Sequence, residues 1–65
     1  MSRYVHLNVE KIEHETATAF LLRLEDDSEY WIPKSQIADP DDYEEGDENC
    51  TVSVTEWIAA QKGLS

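Results

Sequence analysis

Apolar and polar residues alternate from the first residues of the chain onward. Val5, Leu7 and Val9 fall on one side and His6, Asn8 and Glu10 on the other. That is the period of a half-buried strand, and it predicts one over residues 3–12. Glu13, His14 and Glu15 break the alternation and read as a turn. A second strand is expected over residues 16–24, with Thr18, Phe20, Leu22 and Leu24 on one side. Its other side carries Ala17, Ala19, Leu21 and Arg23, so its middle is expected to be covered on both faces. Glu25, Asp26, Asp27, Ser28 and Glu29 then interrupt, because short polar side chains bond their own backbone and turn the chain. Tyr30, Trp31 and Ile32 form a short strand ended by Pro33, which has no N–H for a central ladder. Lys34 to Ile37 is expected to make one tight helical turn that returns Ile37 to the core.

Asp39 to Glu48 is a second acidic loop, with Pro40 and Gly46 as breakers. Residues 49–54 read as the last strand, burying Cys50, Val52 and Val54. Thr55 is placed as the N-cap of a short helix, with Glu56 at its positive end. Trp57, Ile58, Gln61 and Leu64 lie near one helical face, and Gly63 suits the C-terminal cap. A helix of about two turns is unstable alone in water, so that face, Trp57 included, is expected to dock on the sheet.

These elements predict a single α+β domain over residues 1–65: a small, strongly bent antiparallel sheet or partial barrel with a short C-terminal helix. The stretch YWIPKSQI, Tyr30 to Ile37, resembles the strand, proline and single-turn element of SH3-like barrels. The resemblance implies topology alone, because the peptide-binding aromatics of SH3 domains have no counterpart in this sequence. A chain of 65 residues buries only about 60 % of its unfolded surface, so the core is small. Phe20, Trp31 and Trp57 are the bulky candidates to fill it.

Charge sharpens the picture. Fifteen Asp and Glu against five Lys and Arg give a formal net charge of −10. This sign disfavours nucleic acid and anionic membranes as partners and favours a basic protein. Crowded carboxylates are also expected to repel one another and raise their pKa values. Cys50 is the only cysteine, so no internal disulfide forms, and no basic-then-apolar leader or long apolar run stands out. The expected setting is a reducing bacterial cytoplasm and the expected state a monomer.

Catalytic and cofactor chemistry finds no pattern to rest on. His6 and His14 are not at a metal-ligand spacing with Cys50, and Gly46 and Gly63 are too few for a phosphate loop. Counting an EF-hand from Asp39 puts Glu44 where the sixth-position glycine belongs and Cys50 where the glutamate belongs. The expectation is a protein that is not an enzyme and holds neither metal nor cofactor.

Eleven of the acids sit in the two loops: Glu25, Asp26, Asp27 and Glu29, then Asp39, Asp41, Asp42, Glu44, Glu45, Asp47 and Glu48. Solubility alone would be served by dispersing them, so their concentration points to a use for the field. Together with Tyr43, an aromatic anchor inside the second loop, they are the candidate partner-binding residues. A rigid body with acids along it reproduces part of the charge of a duplex and suits the positive channel of a nucleic-acid-binding protein. In length, charge and compact mixed fold the chain resembles the phage-encoded anti-CRISPR proteins that act as DNA mimics. It is most similar to inhibitors of type I interference complexes, subtype I-C among them. The resemblance implies binding to the DNA-recruiting surface of the surveillance complex, its large subunit included, and inhibition of target-DNA binding. Two alternatives stay open: an inhibitor of another DNA-binding enzyme, and an SH3-like phage or bacterial accessory module. The module would bind a protein partner through Tyr4, Tyr30 and Tyr43.

Overall fold

The computed structural model describes residues 3–64. Four strands form one antiparallel sheet: β1 Tyr4–Glu15, β2 Ala19–Leu24, β3 Glu29–Pro33 and β4 Glu48–Thr55. Their order across the sheet is β3-β2-β1-β4. A 3-10 turn at Lys34–Gln36 follows β3, a second lies at Pro40–Asp42, and helix α1, Glu56–Gln61, closes the chain.

β1 is longer than the alternation predicts, because Glu13, His14 and Glu15 continue the strand instead of turning. Its first part pairs with β4, from Tyr4 opposite Thr55 to Lys11 opposite Glu48. Its last part pairs with β2, from Val9 opposite Leu24 to Glu15 opposite Phe20. Two register shifts, between Val9 and Lys11 and between Ile12 and His14, bend it. The first shift solves a packing problem: strict alternation after Val9 would send Lys11 inward, whereas the irregularity turns Ile12 inward and buries it fully. The turn moves downstream to residues 16–18, where the Thr16 hydroxyl accepts from the backbone N–H of Ala19 at 3.0 Å. β2 therefore starts at Ala19, and Thr18 is exposed rather than facing the core.

The bend brings the sheet's inner face around Leu7, Val9, Ile12, Phe20, Leu22, Ile32, Val52 and Val54, all buried. The expected 3-10 turn after Pro33 returns Ile37 to this core, where it bridges Val54 on the outer edge of β4. Ala38 N–H reinforces the bridge by donating to Ser53 O at 2.9 Å. The sheet is nevertheless not closed into a barrel: β3 and β4 remain its two edges.

The helix starts as expected. Thr55 Oγ accepts from Ile58 N–H at 3.3 Å and donates to Gln36 Oε1 at 2.6 Å, tying the cap to the 3-10 turn. It ends in a Schellman-type arrangement: Gly63 sits at φ +71, its N–H donates to Ala60 O, and Leu64 N–H donates to Ala59 O at 2.7 Å. The docked face differs from the expected one, being built from Ile58 and Ala59, with Leu64 packed alongside. Trp57 is 61 % exposed and Trp31 46 % exposed, so neither fills the core. With six helical residues, only one short stripe can face the sheet, and the two smaller side chains occupy it. Among the described residues Phe20 is the one bulky aromatic that is fully buried.

Candidate functional site

The second acidic loop is fastened to the body at several points. Gly46 N–H donates to Ile12 O at 2.9 Å and Ile12 N–H to Asp47 O at 2.8 Å, so the loop's end runs beside β1. Glu15 and Glu45 exchange backbone-to-carboxylate bonds: Glu15 N–H donates to Glu45 Oε1 at 2.9 Å and Glu45 N–H to Glu15 Oε1 at 3.3 Å. Asp47 Oδ2 accepts from Glu44 N–H at 2.9 Å. Tyr43 packs against the core and donates its hydroxyl to Thr51 O at 2.9 Å. Burial there pushes its phenol pKa up. Tyr43 thus pins the loop to its own protein, with its ring turned inward.

Asp39 enters the loop in the left-handed region, at φ 51, and caps the Pro40–Asp42 turn by position rather than by a side-chain bond. After this division of labour, the carboxylates of Asp39, Asp41, Asp42, Glu44 and Glu48 are exposed and make no hydrogen bond or ion pair among the described residues. Asp41, Asp42 and Glu44 line an open hollow of about 400 Å³ with Glu15, Lys34, Pro40 and Tyr43. Lys34 is the one cation in that lining. Its Nζ bonds Glu15 Oε2 at 2.7 Å and lies 4.9 Å from the centroid of the Phe20 ring, so its stem covers the core while its charge is taken by Glu15.

The first acidic loop is the β2–β3 hairpin. Asp26 Oδ1 accepts from both the backbone N–H and the hydroxyl of Ser28, and Asp27 takes the left-handed conformation at φ 68. Glu25, Asp27 and Glu29 are exposed. The first loop precedes Glu29 at the start of β3, and Asp41, Asp42 and Glu44 of the second gather with Lys34 just past its end. β3 itself has five residues, a length of about 17 Å at 3.3 Å per residue. Glu25, on the other side, shares a smaller hollow with Asn49 and Cys50, just beyond Glu48.

The expected upward shift of crowded carboxyls is reversed where the structure acts on them most clearly. The Lys34 hydrogen bond holds the Glu15 carboxyl below its ordinary value, and the Ser28 hydroxyl does the same for Asp26. Bonds to the charged form outweigh desolvation at these positions. Burial, helped by Asp47, pushes the Cys50 thiol up, so it stays protonated and packs as a small apolar group.

Sequence reasoning missed Glu15 and Lys34, since a glutamate read as part of a turn and a lysine after a proline carry no sign that they meet. It also missed the exposure of Trp31 and Trp57. Among the described residues no group of three or more His, Cys, Asp and Glu is placed to hold a metal ion. No helix there is long and apolar enough to cross a membrane. No protein-family model matches the chain, and no curated protein or solved structure shows significant similarity to it.

Proposed function

We propose that this protein is a non-catalytic acidic inhibitor that occupies the basic, DNA-recruiting groove of a nucleic-acid-binding complex in place of DNA. The observation that carries the reading is the second loop, which presents Asp41, Asp42 and Glu44 to solvent from a backbone fastened to β1 and to Thr51. Rigid presentation matters because ordering a floppy acidic segment on binding costs free energy that a fixed one does not spend. The dimensions suit the role: the body measures 31 × 25 × 16 Å. A duplex carries about 18 charges over such a length, at one per about 1.7 Å, and this chain carries a formal net charge of −10. Size, charge and the compact β-rich fold agree with the resemblance to anti-CRISPR DNA mimics, which makes a type I surveillance complex, subtype I-C included, the first target to test.

The test is a binding assay with assembled complex and labelled target duplex. The inhibitor should prevent duplex binding without dissociating the complex, and inhibition should weaken as salt rises, since exposed charges steer the encounter. Unimpaired duplex binding in its presence would exclude this target. A second reading, a module that binds a protein through aromatic side chains, is favoured by the exposure of Trp31 and Trp57. It requires binding that salt leaves unchanged and that Trp31→Ala or Trp57→Ala removes.

A further inference from the structure

We propose that the free edge of β3 is a docking site for an extended basic peptide segment, which joins the sheet as a fifth strand. The phase of the β2–β3 ladder fixes what this edge offers. Leu24 N–H donates to Ser28 O at one end and Lys34 N–H to Thr18 O at the other, both at 2.8 Å. Bonded pairs alternate in an antiparallel ladder, so Ser28, Tyr30, Ile32 and Lys34 direct their backbone groups toward β2. Glu29 and Trp31 therefore direct N–H and C=O away from the sheet, and no described strand lies beyond them. The opposite edge is different, because Ile37 and Ala38 cover part of β4.

The surroundings specify the occupant. Trp31, opposite Leu21 and 46 % exposed, offers an apolar platform beside the free backbone groups. Glu25, Asp27 and Glu29 stand at one end of the strand, and Asp41, Asp42 and Glu44 line the hollow that includes Lys34 at the other. The strand between these ends is about 17 Å long, the span of about five residues. A matching segment has a β-branched or apolar middle and Lys or Arg at both ends. Backbone pairing supplies affinity and the end charges supply register, the usual division in strand addition. A second copy of this chain does not fit, since two bodies of net charge −10 repel, and Glu29 on the edge repels a second acidic strand while attracting a basic one. The proposal rests on the preceding reading only in taking the partner to be basic.

The test uses a synthetic, end-blocked heptapeptide, Lys-Val-Thr-Val-Thr-Val-Lys, titrated into the labelled protein and followed by amide hydrogen exchange. At ten times its Kd, exchange of the Glu29 and Trp31 amides should slow about ten-fold. The same peptide N-methylated on the alternate residues that face β3 keeps its charge and should fail to protect them. Equal binding of the two peptides, protection confined to the acidic loops, or no binding at millimolar peptide would each overturn the proposal. Protection of the same amides that grows with protein concentration alone would also overturn it, by making a second copy the occupant. Inhibition of duplex binding is read separately, so the edge can fail while the mimicry reading stands, and the reverse.

Discussion

Lys34 donates to Glu15 across 2.7 Å while Glu15 also accepts from the backbone of the second loop, so one carboxylate joins β1, the end of β3 and the acidic loop. The sequence identified which acids are abundant but not which are used internally, because that depends on partners brought in from distant positions. Asp26, Glu45 and Asp47 serve turns and loop closure, whereas the carboxylates of Asp41, Asp42 and Glu44 stay exposed. The pH dependence follows from the direction of the shifts. Glu15 and Asp26 have folded pKa values below their ordinary 4.5 and 3.8. Their stabilising contribution is therefore present above those values and lost as pH falls through the lower folded ones. Melting temperature should fall on acidification below about pH 4.5, the ordinary Glu15 value. Glu15→Gln should melt lower than the parent at pH 7, with the gap closing in acid. A gap that persists at pH 2 would show that the Glu15–Lys34 pair is not the source.

At the scale of elements, local signals were readable and collective ones were not. Thr55 at the N-cap, the turn after Pro33 and the Gly63 stop are set by neighbours in sequence, and each is where the pattern put it. The continuation of β1 through Glu13–Glu15 depends on bulges whose benefit, inward placement of Ile12, exists only once β2 has paired. Helix packing was misjudged for a related reason: hydrophobicity ranks Trp57 first, but the space under a six-residue helix accepts Ile58 and Ala59. Trp57→Ala should therefore change stability by no more than about 0.5 kcal/mol. Ile58→Ala should cost about 2–5 kcal/mol and Phe20→Ala about 3–5 kcal/mol. Chemical denaturation of the three variants checks the ranking, and a Trp57→Ala loss as large as that of Ile58→Ala would mean the helix docks by its other face.

For the molecule as a whole, the bent sheet was legible from four short strands and their breakers, and the net charge of −10 from composition alone. The placement of Asp41, Asp42 and Glu44 at the far end of β3 from Glu25, Asp27 and Glu29 was not, since it follows from sheet order and from the fastening of residues 44–47 to β1. Asp41, Asp42 and Glu44 can therefore be reversed separately from Glu25, Asp27 and Glu29. The measurement that bears most directly on mimicry is competition between target duplex and this protein for the surveillance complex, repeated with Asp41, Asp42 and Glu44 all changed to Lys. Glu45 and Asp47 are left intact because they hold the loop, and retained melting behaviour confirms the fold. The account predicts that the triple reversal abolishes competition, while reversal of Glu25, Asp27 and Glu29 weakens it separately and additively. Undiminished competition by a folded protein carrying both sets of reversals would contradict it.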